Sequence, residues 1–500
     1  MGYLIGYDVG SSSVKTSLLE AEEGKIVASA TSPQTELEIS AKKPGWAEQH
    51  PNTWWEHVKI GTANILSKSR VKPEEIKAIG ISYQMHGLVI VDKNYKVLRP
   101  AIIWCDSRAA SIGDQAFSSI GQEKCLTRLL NSPGNFTASK LKWVQENEPE
   151  IYEKTYKAML PGDFIAMMMT GEIRTTPSGL SEGILWDYQQ QELANLVLDY
   201  YGIPQEMMPE VVPTFSNQGE LTKKAAEELG LKPGTVVSYR AGDQPNNAFS
   251  LNVLNPGEMA ATAGTSGVVY GVGNQPEYDR KSRVNTFLHV NHTNKDPRYG
   301  ILLCLNGTGI LNRWLKNNLM NDEVGYDEMN HLAAQIPAGA KGLMIFPYGN
   351  GVERTLENKE LNASIQGLDF NLHKRSHLLR AAQEGIVFAL NYGLGIMEKM
   401  GTRIDVIRAG QANMFLSPLF GEVFATVTGA KVELYNTDGS QGAARGAGVG
   451  AGIYHNFAEA FSGLQTQKTI EPNTKLTNCY QELYKRWATI LQNQLNTGVV

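Results

Sequence analysis

The sequence predicts an α/β protein, on two observations. Short apolar runs rich in β-branched residues alternate with longer segments that repeat apolar residues every three or four positions, and one strand-turn-strand pattern recurs about half a chain apart. The strand-like runs are 3–8, 14–19, 78–83, 88–92, 235–241, 257–263, 267–271, 301–305 and 343–347. Between them, 53–67 reads as a helix capped by the Thr53 hydroxyl, and 376–400 as a long helix with its apolar residues on one side. Strands alternating with helices of this length imply a sheet covered by helices.

Bulk composition narrows the function classes. The chain has 500 residues, of which 42% are hydrophobic and 19% charged, with a net charge of −5. That is length for two to four domains and ample apolar surface for a large core. A mildly acidic chain without a basic tract offers no electrostatic footprint for nucleic acid. Cys105, Cys125, Cys304 and Cys479 are widely spaced, which suggests neither a disulfide framework nor a zinc site. The N-terminus passes straight into a strand, and no apolar run approaches the roughly 18 to 20 residues that span a bilayer. The expectation is a cytoplasmic protein with no membrane partner.

The recurring pattern is the most informative feature. Val9-Gly10-Ser11-Ser12-Ser13-Val14 returns as Ala263-Gly264-Thr265-Ser266-Gly267-Val268, each between two strands. Each copy would be a hairpin whose turn offers backbone N–H groups and hydroxyls, and two such turns could grip one polyphosphate. A third segment, Val406 to Asn413, runs from an apolar strand through Gly410 into a helical stretch. The glycine-rich run 439–448 lacks the Lys-Ser/Thr ending of a P-loop and reads instead as small residues that let a helix pack closely.

Phosphoryl transfer to a hydroxyl needs an ordered polyphosphate, Mg²⁺ and a carboxylate to receive the hydroxyl proton. Asp8 ends the first strand just before the first turn, where it could hold Mg²⁺ through water or cap the turn. Asp243 follows the apolar strand 236–241 and could serve as the general base or as a helix cap. Gln84-Met85-His86-Gly87 places a polar patch between two strands; His86 has no companion at ligand spacing, so hydrogen bonding to a polyol fits better than zinc. Trp104-Cys105-Asp106-Ser107-Arg108 offers an aromatic, a carboxylate and a guanidinium that could pack on a sugar or form a salt-bridged turn. His289 and His292 have no companion ligand and read as surface or core.

The duplicated hairpins resemble those of the actin-like ATPase superfamily, and the full set of motifs resembles the FGGY carbohydrate kinases over almost the whole length. The matching pieces are Asp8 to Ser13, Pro44 to Pro51 with Trp54-Trp55, Gln84 to Gly87, Trp104 to Arg108, Gly242-Asp243, Gly264 to Ser266, Gly410, and Ala363 to Leu368 continuing to Glu384. Within that family, Gln84 to Gly87 and Gly45 to Gln49 are most similar to the xylulose kinases.

The resemblance implies two actin-like (ribonuclease H-like) domains, about 1–248 for the sugar and 249–500 for the nucleotide, with an interdomain cleft that closes over the substrates. It implies Asp243 as the base, Met85, His86, Trp104 and Asp106 at the sugar, and Asp8 supporting Mg²⁺ through water. Gly10, Ser11, Ser12, Ser13 and Lys15 would line the phosphates of ATP with Gly264, Thr265 and Ser266, and Gly410 and Asn413 would meet the adenosine. A homodimer is also a family expectation.

The reaction so implied is ATP-dependent phosphorylation of D-xylulose to D-xylulose 5-phosphate, with L-ribulose, L-xylulose or glycerol as alternative acceptors. Two departures bear on that choice: Cys105 stands where xylulose kinases often carry Asn, and Asp243-Gln244-Pro245 replaces a common Asp-Asn-Ala, an Asp-Gln form that resembles the glycerol kinases. Asn135, before Phe136-Thr137-x-x-Lys140-Leu141-x-Trp143, also departs from the family's first signature. A non-enzymatic actin-like ATPase is the reading from another class, and the Gln84 to Gly87 patch argues against it.

Overall fold

Five strands build the first sheet: β1 (Tyr3–Val9), β2 (Val14–Glu20), β3 (Ile26–Ser32), β4 (Ile76–Tyr83) and β5 (Val236–Gly242), in the order β5-β4-β1-β2-β3. The structure is a computed structural model, and it describes residues 2–321 and 323–497. β1 is antiparallel to β2 and parallel to β4, and β4 is parallel to β5. Leu4, Ile5, Tyr7 and Val9 are buried at both parities of β1, as a strand covered on both faces requires.

The two coverings differ in kind. Tyr7 turns toward the helix Pro51–Ser69, where its hydroxyl meets Thr62 Oγ1 at 2.6 Å. Gly6 and Asp8 turn the opposite way, toward the helix Gly439–Gly450. A Cβ on Gly6 would overlap the Ser440 carbonyl oxygen, and one on Gly80 of β4 would overlap that of Ala443. Backbone therefore lies on backbone with no side-chain layer between, which is the close packing the small residues of 439–448 predict. The helix expected to begin at Thr53 begins two residues earlier: Pro51 is its first residue, and the His50 ring accepts from Asn52 N at 3.3 Å in place of the hydroxyl.

A second sheet repeats this plan. Its central strands are β6 (Glu258–Ala263), β7 (Gly267–Gly273), β8 (Tyr299–Leu305), β9 (Val406–Gly410) and β10 (Lys431–Tyr435), in the order β8-β7-β6-β9-β10, with one further strand at each edge. β6 is antiparallel to β7 and parallel to β9, and β9 is parallel to β10, so β6, β7, β9 and β10 reproduce the relations of β1, β2, β4 and β5. The long helix expected at 376–400 runs over Arg375–Lys399, and buried Leu379, Ile386, Val387, Leu390 and Leu394 fix it in the core of this half.

The chain forms two compact units: Met1–Asn252 with Phe287–Tyr299 and Thr437–Leu464, and Val253–Thr286 with Gly300–Asn436 and Gln465–Val500. The expected division at 248/249 falls inside the helix Asp243–Ser250, and the first unit also takes in two later segments. Among the described residues, no helix is long and apolar enough to cross a membrane.

Candidate active site

The hairpin between β1 and β2 closes on the pair Val9 and Val14, and Gly10 N donates to Ser13 O at 3.0 Å. Three neighbours brace it. Gln49 Nε2 donates to Ser11 O at 2.6 Å, Leu37 N to Ser12 O at 2.8 Å, and the Trp104 indole N–H to Ser11 Oγ at 3.3 Å. Trp104, half exposed, thus stands beside the hairpin rather than apart from it.

Asp8 lies at the root of this turn. Its Oδ1 accepts from Ser82 Oγ at 2.9 Å, and its Oδ2 faces the first turn of the helix Gly439–Gly450, 2.5 Å from where a Cβ on Gly439 would sit. Lys15 is its cross-strand partner. Burial raises the Asp8 carboxyl above its ordinary range, Lys15 and Ser82 oppose, and Asp438 adds a like charge. Asp438 caps the same helix, its Oδ1 accepting from Gln441 N at 3.0 Å and Ser440 Oγ at 2.8 Å.

Asp243 is the first residue of the helix Asp243–Ser250, directly after β5. β5 and β1 flank β4, so their C-terminal ends share one rim of a parallel arrangement, the usual place for ligand contacts in such sheets. Burial, then the charge of Asp8, pushes the Asp243 carboxyl up to about 7; backbone and side-chain hydrogen bonds from Gln244 pull the other way. A carboxylate with that pKa takes and returns a proton near neutrality.

The polar patch after β4 comes to the same rim. Met85 Cγ would lie 2.6 Å from a Cβ on Gly242, so Met85 packs against the residue that precedes Asp243. His86 holds a left-handed φ of 60°. Its Nδ1 lies 2.8 Å from the Glu182 carbonyl oxygen, and because a carbonyl only accepts, Nδ1 carries a proton. Phe136 meets that ring edge-on at 4.7 Å and Phe287 tilts toward it at 5.5 Å.

The turn 104–108 is salt-bridged. Asp106 is fully buried; Ala47 N donates to its Oδ2 at 2.6 Å, and the Arg108 guanidinium grips both oxygens at 2.6 to 3.0 Å. Arg108 also donates to Glu48 at 2.8 Å and stacks 3.7 Å over the Trp46 ring. Asp106 therefore anchors the turn that carries Trp104.

Two further buried groups lie here: Glu182, which sequence reasoning did not single out, and Lys140, which it placed only within the family's first signature. Glu182, on the helix Pro177–Glu182, is buried against Gly242, and burial holds its carboxyl well above the usual range. Lys140, on the helix Thr137–Asn147, is also fully buried. Nothing local distinguishes Glu182 from an exposed residue, and the signature position of Lys140 does not announce its burial.

The second hairpin closes on the pair Ala263 and Gly267 and borders a cavity of about 320 Å³ within its own unit. Gly264, Thr265 and Asn413 line it together with Gly309, Asn312 and Arg313, whereas Ser266 and Gly410 do not reach its wall. Gly309 N donates to Gly264 O at 2.8 Å and Ile310 N to Thr265 O at 3.2 Å, tying the hairpin to the start of the helix Gly309–Leu319. The volume falls within the range of ordinary small-molecule sites.

Duplicated sheets that each carry a glycine-hydroxyl hairpin, with Asp8, Asp243 and the patch 84–87 on one rim of the first, give the chain the architecture of the two-domain actin-like sugar kinases. The chain belongs to the FGGY family of carbohydrate kinases: the family's N-terminal domain matches residues 3–250 and its C-terminal domain residues 259–453. It is 29% identical to a xylulose kinase of Bacillus subtilis, covering 100% of this chain and 99% of the relative. A xylulose kinase of Staphylococcus epidermidis is 30% identical, with 97% and 96% covered. The solved structure of a ligand-bound xylulose kinase from Lactobacillus acidophilus superposes with a TM-score of 0.90 at 22% identity, covering 99% of this chain and 98% of that one. Solved structures named gluconate kinase and glycerol kinase share the fold as well. The protein is an ATP-dependent carbohydrate kinase.

Proposed function

We propose that the protein transfers the γ-phosphoryl group of ATP to the terminal hydroxyl of D-xylulose, giving D-xylulose 5-phosphate, with Asp243 as general base. The observation that carries the mechanism is the Asp243 carboxyl: half-buried at a helix start, electrostatically coupled to Asp8 below the hairpin, and pushed up to about 7. The names of the relatives favour xylulose among the sugars.

In this reading His86 Nε2 accepts from a sugar hydroxyl and Met85 packs on the carbon chain, leaving the reacting hydroxyl to Asp243. Asp243 takes its proton as the oxygen attacks phosphorus. Ser11 to Ser13 and Thr265 offer hydroxyls and turn N–H groups to the phosphates, and Asn413 borders the adenosine.

Among the described residues no group of three or more His, Cys, Asp or Glu could hold a metal ion. Mg²⁺ would fit differently, because it needs only one or two carboxylates beside phosphates and its own water. Asp8, with Asp438 adding negative charge beside it, is suited to that part, and the ion would supply charge neutralisation on the phosphates.

A coupled assay of ADP release over D-xylulose, L-xylulose, L-ribulose, glycerol and gluconate tests the substrate. D-Xylulose is expected to lead by at least about tenfold in kcat/KM, the scale on which pocket contacts discriminate related substrates. A different leading sugar would retain the chemistry and replace the acceptor. Gly264→Val tests the nucleotide side: a Cβ there already stands 3.5 Å from Asn413 Nδ2, so a branched side chain narrows the cavity. The KM for ATP is expected to rise by about tenfold or more, with the sugar KM little changed. An unchanged KM for ATP would place the nucleotide elsewhere.

A further inference from the structure

We propose that Lys140 is a positioning residue that pins the main chain on two sides of the sugar pocket and thereby sets sugar affinity. The proposal rests on the reading of His86 and Trp104 as sugar contacts. Lys140 Nζ donates to His86 O at 2.8 Å and to Ile103 O at 3.0 Å. These carbonyls belong to separate stretches, one following β4 and the other leading into Trp104 and the salt-bridged turn.

Both stretches need an external hold. His86 sits in the left-handed region, which a side chain other than glycine keeps only where its surroundings enforce it. The Glu182 carbonyl fixes its ring, but its own carbonyl is held by the Lys140 ammonium. Phe136, the residue preceding the helix that carries Lys140, packs edge-on against the same ring, so one helix start holds both the ring and the peptide. Trp104 follows Ile103 directly, and its indole reaches the phosphate-type hairpin at Ser11.

A fully buried ammonium is a costly way to join two carbonyls. Burial pulls Lys140 down to about 7 against the opposing charge of Asp106. An apolar side chain of similar volume would remove that cost but would not join the two carbonyls, so what the group contributes is geometry.

The test uses Lys140→Met and Lys140→Gln in the full chain. Hydrogen exchange is followed in peptides spanning 84–88 and 102–106, alongside steady-state kinetics in both substrates. In Lys140→Met, which removes the ammonium from both carbonyls and leaves Ile103 O its 3.2 Å bond from Asp106 N, exchange in both peptides is expected to accelerate and the sugar KM to rise about tenfold or more, with the KM for ATP within about twofold. Lys140→Gln, whose amide keeps two donors, is expected to fall between and serves if the methionine variant does not fold. Added to His86→Ala, either substitution is expected to raise the sugar KM little further, because both act on one contact. Unchanged exchange in the two peptides would overturn the proposal. So would sugar and ATP KM values that rise together with a lowered Tm, the signature of a general structural role. If the unaltered enzyme turned over no sugar, the exchange data would still decide whether Lys140 holds these segments, and only the sugar reading would fall.

Discussion

Asp243→Ala is expected to lower kcat on the sugar by about 10²- to 10⁴-fold, the usual contribution of a positioned general base. The KM for ATP should stay within a few-fold, because the carboxyl acts on the acceptor hydroxyl rather than on the nucleotide. The same carboxyl gives the pH profile a definite sign. A base works deprotonated, so kcat/KM should climb about tenfold per pH unit on the acid side and level off near 7, where burial and the Asp8 charge place the carboxyl. A bound cation beside Asp8 can move that bend only to lower pH. Stability runs the other way. With a folded pKa above the ordinary value of about 3.9, Asp243 contributes stability that is present below pH about 4 and lost as pH rises toward about 7. Stopped-assay kinetics from pH 5 to 9 check the first part and thermal melts over the same range the second. A flat acid limb in the unaltered enzyme would exclude Asp243 as the base.

Gly6→Ala is expected to be among the most damaging single methyls in the first unit. Gly6 and Asp8 share one face of β1, and the helix Gly439–Gly450 lies on that face through its own backbone. The added Cβ would overlap the Ser440 carbonyl oxygen and approach Ala444 N and Cα, none of which can swing aside as a side chain could. The helix must therefore shift as a body, taking Gly439 and Asp438 away from Asp8. Overpacking of this kind costs about 1 to 3 kcal/mol; with rigid neighbours the upper end, about 3 kcal/mol, is expected, which corresponds to a fall in Tm of about 6 to 12 °C for a large unit. Gly395→Ala, in the helix Arg375–Lys399 with open space around its Cβ, is the contrast. It should be neutral or raise stability by up to about 1 kcal/mol. Equal melting of the two variants would contradict the backbone-on-backbone packing.

The strands other than β3 and β10, the twin hairpins and the close-packed helix were legible in the sequence because each rests on local signals: apolar alternation, glycine with hydroxyls at a turn, and a run of small residues. Thr53 misled because Ser and Thr are only the commonest caps; Pro51 set the helix start two residues earlier and His50 supplied the acceptor. The turn at 104–108 had two readings, and the choice depended on partners distant in the chain. Glu48, Ala47 and Trp46 sit about sixty residues before Arg108, and only the folded chain brings them to it. The same limit hid Glu182 and the burial of Lys140, whose chemistry comes from the folded surroundings rather than from their neighbours in sequence. Arg313 and Asn312 line the cavity beside the second hairpin because a helix start is hydrogen-bonded to that hairpin at Gly264 and Thr265, a pairing no sequence pattern announces.

Phosphorus NMR of the protein with MgATP and D-xylulose measures the central claim most directly. A phosphate monoester of the sugar is expected to appear in step with ADP, and Asp243→Ala is expected to suppress both. ADP accompanied by inorganic phosphate alone, or ester formation undiminished in Asp243→Ala, would contradict it.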